Sequence, residues 1–164
     1  MVSELAIATA ALVMVTASFP FYLWGAWIMI DADVVTWDVL SYHLKVIAVG
    51  LTLNTLPVLV WMLPRAADQI GGLVAVHAFF GLQAYAMLLV GLTGIVRILQ
   101  VKLAHDLYGD PTQDVDLNDL HEHMGAWRRR LRVGVFGYVF FWLLAYALGI
   151  VRYILRYPVI AGLS

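Results

Sequence analysis

Five histidines are the residues of this 164-residue chain best suited to chemistry, because it has no cysteine and only 13% of its residues are charged. Without thiols there are no disulfides, thiolate metal sites, iron–sulfur clusters or cysteine nucleophiles. His77 falls inside a long apolar run, while His43, His105, His121 and His123 stand at the edges of others. At helical periodicity His43 shares a stripe with Gly50 and Asn54, His77 with Gly81 and Tyr85, and His123 with Gly134, Tyr138 and Trp142. A histidine with a small residue on its own face meets the two needs of a membrane haem. The imidazole supplies an axial ligand, and the glycine lets the porphyrin approach the backbone.

The elements that position these side chains follow from composition. The chain is 63% hydrophobic with a net charge of −1, against roughly half apolar and about a quarter charged in an average soluble domain. A soluble domain of this size would expose apolar patches far beyond the few hundred Å² that monomers tolerate. The low charge excludes a disordered chain and removes the electrostatic case for nucleic acid. Four stretches lack formal charge: residues 5–30, 46–63, 69–96 and 133–151, of 26, 18, 28 and 19 residues. About 20 apolar residues span a bilayer, and in lipid only helices and closed barrels satisfy their own backbone. The runs lack the alternation of barrel strands. The reading is an all-α integral membrane protein: one up-down bundle of four transmembrane helices over about 5–30, 39–63, 69–101 and 127–157.

The first run has no basic residue before it and is too long for a signal core, so it reads as a retained helix capped by Ser3. Pro20 and Pro57 fall within helices and are expected to kink them. Short connections make sequential neighbours antiparallel. The one long connection, 102–126, carries six acids, opens with a Gly–Pro turn at 107–111 and changes sign at 128–132. It reads as a soluble docking surface whose end, 117–124, enters the last helix with Asp116 or Asn118 as cap. The tryptophans, Trp142 included, fit an interfacial belt. No hydrolase, P-loop or Rossmann signature is present, and no charged group lies in the central zone where an ion-coupled transporter needs one.

Antiparallel topology brings His43, His105, His121 and His123 to one membrane face and leaves His77 near the other. Three readings stay open. A haem b clamped by His43 and His123 would lie between helices two and four, with Arg128 and its neighbours near the propionates; His121 is the competing ligand from helix four, and His77 competes if the haem lies deeper. Alternatively the histidines are half-wet interfacial groups, the glycines pack helices, and the arginines anchor the membrane edge. In the third reading His121 and His123, with Glu122, His105 and Met124 nearby, hold Cu or Zn. For His77 alone the choice lies between an imidazole bonded to a neighbouring helix and a ligand or proton-relay group.

The histidine pair on helices two and four, with the segment His123-Met124-Gly125-Ala126-Trp127-Arg128-Arg129, resembles the four-helix core of b-type membrane cytochromes of the ascorbate-reducible and ferric-reductase-like groups. That resemblance implies a haem held near one membrane face and a role in electron transfer, as a small cytochrome or the haem-bearing anchor of a respiratory or redox complex. It departs from the pattern at His77, which lacks an opposite ligand for a second haem. Nine Asp against two Glu and eight Arg against two Lys also resemble the membrane proteins of salt-loving archaea. The alternative to electron transfer is a cofactor-free scaffold or assembly subunit of a respiratory or transport complex. Either reading gives the lipid bilayer and other membrane subunits, or a redox partner, as its surroundings.

Orientation follows from Lys45, Arg97, Lys102, Arg128, Arg129, Arg130 and Arg132 on one face against Arg65, Arg152 and Arg156 on the other. The richer face belongs in the cytoplasm, which puts both termini outside and the long loop inside. Asp114→Cys and Ser164→Cys, made singly in this cysteine-free chain, should react with an impermeant thiol reagent from opposite sides of intact cells. Labelling of Asp114→Cys from outside reverses the orientation, and labelling of both from one side rejects four crossings.

Overall fold

The computed structural model describes residues 3–66, 71–109 and 117–157. The described residues form helices and turns, with four helices long and apolar enough to cross a membrane. The first is α1 (Glu4–Asp31), which starts at Ser3, whose Oγ accepts the Ala6 amide at 3.2 Å. The second begins as α2 (Trp37–Pro57), capped by Thr36, whose Oγ1 accepts the Val39 amide. Pro57 has no amide proton and its ring crowds the carbonyl one turn back. Beyond it Val58–Met62 forms a π turn, closed by the Leu63 amide on the Val58 carbonyl, and α3 (Leu63–Ala66) completes the span. The third and fourth spans are α4 (Gly72–Ala104) and α6 (Met124–Arg156), with the single turn α5 (Leu117–Leu120) before the latter.

α4 and α6 each have 33 residues, about 50 Å of helix at ~1.5 Å per residue. A hydrocarbon core of about 30 Å leaves roughly 10 Å of each helix in the headgroup layer at either end. The helix bearing His77 starts at Gly72, three residues later than its composition implies, so His77 lies about 8 Å from that end. Its level is the headgroup boundary. α4 stops in a left-handed cap: Asp106 has φ +53°, and the Leu107 amide returns to the Lys102 carbonyl at 3.1 Å. The next turn lays Tyr108 against Trp37 at the start of α2. Residues 110–116, with Asp110, Pro111, Asp114 and Asp116 of the acidic loop, lie outside the described residues, as do Asp68 and Ser164.

The bundle is two tight antiparallel pairs joined along a looser seam. In the α4/α6 pair glycines set the separation. A Cβ on Gly134 would fall onto the backbone of Gly91 and 2.8 Å from the Met87 carbonyl oxygen, and one on Gly94 would come within 2.6 Å of the Trp127 carbonyl oxygen. Small residues let the main chains approach so closely, and contact in lipid is driven by such packing. In the α1/α2 pair, Gly25 receives Ile47, and Gly50 lies under Phe21 and Tyr22. The seam between pairs has α1 facing α6 through paired hydroxyls: Thr9–Tyr153 at 2.7 Å, Thr16–Tyr146 at 3.0 Å and Tyr22–Tyr138 at 2.9 Å. α2 and α4 complete the square without close backbone contact. The outer faces, with Leu23, Ile30, Phe136 and Leu155 among the most exposed side chains, are left for lipid.

The glycine contact is asymmetric, since a Cβ on Gly91 would meet Gly134 at an ordinary 3.5 Å. Gly134→Ala should therefore lower stability by about 1–3 kcal/mol, because only backbone can yield. Gly91→Ala should be neutral or stabilising, as alanine favours helix. Thermal unfolding of the two variants in detergent checks this, and equal losses would refute the asymmetry.

Candidate functional site

Polar side chains deep in a bilayer must find partners within the protein, and Asn54 shows how this chain does it. Asn54 is 4% exposed; its Oδ1 accepts the Trp142 indole N–H at 2.9 Å, and its amide nitrogen lies 3.4 Å from the Tyr85 hydroxyl. Tyr85 donates in turn to Thr55 Oγ1 at 3.0 Å. Trp142 is thus a central core residue, 8% exposed and in ring contact with Phe19, Tyr22 and Tyr146, and does not belong to the interfacial belt assigned to it from composition. Trp24, Trp27 and Trp37 are the exposed ones. No buried side-chain nitrogen or oxygen among the described residues lacks a partner.

Above this knot a cavity of about 550 Å³ runs to the end of the bundle where α1 starts and α6 stops. Its walls are mainly apolar. The stripe His77, Gly81 and Tyr85 lines one side, with Gly81 leaving open space where a side chain would stand. Val58, Trp61 and Met62 of the π turn line another. Three arginines ring the mouth. Arg65 folds over the Trp61 ring, 3.4 Å from its centroid, and bonds the Trp61 carbonyl. Arg156 pairs with Glu4 at 2.7 Å. Arg152 donates from Nη1 to His77 Nδ1 at 2.7 Å. Tyr157, beside this mouth and outside the spans, has its phenol pushed up by burial and by Glu4.

The Arg152 bond decides the state of His77. A guanidinium can only donate, so Nδ1 accepts, the ring is neutral and its proton sits on Nε2. With Nδ1 held by Arg152, the other ring nitrogen presents a proton. Of the readings open for His77, the observed contact is the bond to a neighbouring helix. Arg152 was not singled out from sequence, although the signal existed. Antiparallel helices bring together residues at equal distances from one end, and Arg152 stands four residues before the end of α6 as His77 stands five after the start of α4.

The other histidines lie at the opposite end, where the His121 and His123 rings are in contact, centroids 5.4 Å apart, and the His123 amide donates to His121 Nδ1 at 3.1 Å. His43 is half-buried against α1, with Nδ1 2.8 Å from the Gly25 carbonyl oxygen. That bond makes Nδ1 the donor and leaves Nε2 with its lone pair. His123 is the N-cap residue of α6, its side chain 63% exposed, with Nε2 3.4 Å from Glu122. His121 stacks on Trp127, and His105 bonds the Val101 carbonyl at 2.9 Å. Arg128 lies close to Lys102. Beside the stripes of His43 and His123, Gly50 lies under Phe21 and Tyr22, and Gly134 presses on Gly91. Among the described residues no group of three His, Asp or Glu side chains is gathered to hold a metal ion.

¹⁵N spectra of histidine-labelled protein at neutral pH should show the His77 ring protonated at Nε2 alone. Arg152→Gln should alter that signal and no other. A His77 ring protonated at Nδ1 would break the assignment.

No curated protein and no solved structure matches the chain. Four membrane-length helices, paired through glycines and knotted at Asn54, make up the region that a family model covers over residues 4–158, so the chain belongs to the family described as domain of unknown function DUF7321.

Proposed function

We propose that this multi-pass membrane protein holds an amphipathic ligand with an acidic head in the cavity at the α1-start, α6-end of the bundle. One observation carries the reading. An apolar chamber of about 550 Å³, within the usual range of small-molecule sites, has Arg65 and Arg152 at its mouth, and no carboxylate neutralises either among the described residues. Glu4, the carboxylate of the lining, is already paired with Arg156. Guanidinium groups bind carboxylate and phosphate through paired N–H donors, and the His77 Nε2–H adds a neutral donor. A head held there sits at the headgroup boundary while its tail descends toward Tyr85 and Trp142. The Lys and Arg distribution supports an outward-facing mouth, with the 128–132 cluster on the cytoplasmic side.

The wild-type protein, purified in mild detergent, should bind a fluorescent C18 polyene fatty acid. Arg152→Gln should weaken that binding about tenfold or more, the usual loss for a hydrogen bond to a charged group. Absence of probe binding by the wild type, or unchanged binding by the variant, overturns the proposal.

The second reading, a haem-bearing electron-transfer subunit working with a redox partner, is favoured by His43. An Nδ1–H donated to a backbone carbonyl is how ligating imidazoles are oriented. It needs α1 and α4 to rearrange beside Gly50 and Gly134, and His123 to turn inward. Its optical test is direct: after expression with ample haem, His43→Ala and His123→Ala should each abolish the reduced-minus-oxidised bands, and His105→Ala should keep them. A colourless wild type leaves the subunit without this role.

A further inference from the structure

At the other end of the bundle, α4 and α6 form a shallow recess facing outward, lined by Leu89, Leu92, Val96, Arg97, Gln100 and Arg130, with Thr93 in its wall. Gly94 creates it. With no side chain there, the α6 backbone lies on α4, and Arg130 Cβ comes within 3.4 Å of where a Gly94 Cβ would be. Arg97 is three residues on from Gly94, on the same face of α4. Two arginines from different helices thus line one recess.

Their depth is the second observation. Arg97 lies seven residues before the end of α4 and Arg130 six after the start of α6. At ~1.5 Å per residue both are about 10 Å inside the helix ends, which for helices of this length is the boundary between hydrocarbon and headgroups. Both are exposed, and neither has a carboxylate within reach among the described residues; Arg97 has only the Gln100 side chain, at 3.5 Å. From Arg97 the recess runs toward mid-membrane through the aliphatic side chains of Val96, Leu92 and Leu89, with Thr93 among them. The recess thus pairs a two-arginine end at phosphate level with an apolar track as long as the first part of an acyl chain.

We infer that the Gly94 recess is a binding site for one anionic membrane phospholipid, its phosphate bridged by Arg97 and Arg130 and its chain laid along Leu92 and Leu89. Basic pockets between transmembrane helices hold acidic headgroups in this manner. The site does not depend on the cavity at the opposite end, which shares no residue with it.

The test uses the full chain in nanodiscs of phosphatidylcholine doped with phosphatidylglycerol, with retained lipid read by native mass spectrometry. The wild type should retain one phosphatidylglycerol in preference to phosphatidylcholine. Arg97→Gln or Arg130→Gln should each weaken that preference about fivefold, and the double variant about thirtyfold, from the usual value of a basic residue near an anionic surface. Arg129→Gln, outside the recess, should change it less than either. Both arginines are exposed, so folding is not at stake, and circular dichroism confirms it for each variant. An undiminished preference in the double variant overturns the site. Equal loss from Arg129→Gln reduces it to diffuse attraction and overturns it too, and displacement by millimolar inorganic phosphate would make it an anion site rather than a lipid site.

Discussion

The bundle depends on one buried hydrogen bond, from the Trp142 indole to the Asn54 side-chain carbonyl. Neither group can be left alone in hydrocarbon, where an unpaired amide or indole costs several kcal/mol. They sit on diagonal helices, so satisfying them holds the α1/α2 pair against the α4/α6 pair. The hydroxyl pairs along α1 and α6 act in the same direction, each adding about 0.6 kcal/mol on average for membrane interiors. Polar contacts hold the seam and glycine contacts hold the pairs. α2 and α4 share the Tyr85 contacts with Asn54 and Thr55 but no glycine contact, and above Tyr85 the cavity opens between them.

Pro57 contributes to that opening. The π turn that follows it widens the helix over one turn, and wide turns of this kind recur at binding sites. Here the widened segment supplies Val58, Trp61 and Met62 to the cavity wall and carries Arg65 to its mouth. One backbone irregularity thus couples the course of the second span to the shape and charge of the chamber.

The four spans were legible from charge spacing because the bilayer imposes a length and a polarity that a run of residues either meets or fails. Ser3 as a cap was legible for a similar reason, since a hydroxyl before an apolar run has a single local use. The direction each stripe faces was not legible. Gly50, Gly81 and Gly134 look alike in sequence, yet one lies under Phe21 and Tyr22, one borders open space and one presses on Gly91. Those differences arise from which helix stands opposite, a property of pairing rather than of the stripe. The same holds for Arg152, an unremarked charge at a helix end until His77 is placed across from it. The lone polar residue Asn54 was visible, but its partner was hidden because an indole is read first as an interfacial anchor.

The unequal tightness of the two pairs bears on how the chain is made. α1 and α2 are joined by a short turn and leave the ribosome as one hairpin, whereas α4 must wait for α6 across the whole acidic connection. Roughly fifty residues separate the ends of those helices, several seconds of synthesis at ordinary rates. Throughout that interval the surface around Gly91 and Gly94 faces lipid or the insertion machinery with no cognate helix. Asn54 meanwhile has only Tyr85 to bond, since Trp142 is still to be translated. α6 brings the contacts that hold both halves, so a chain stalled or truncated before it presents bare glycine backbone and an under-bonded amide, the features by which membrane quality control can recognise an orphan.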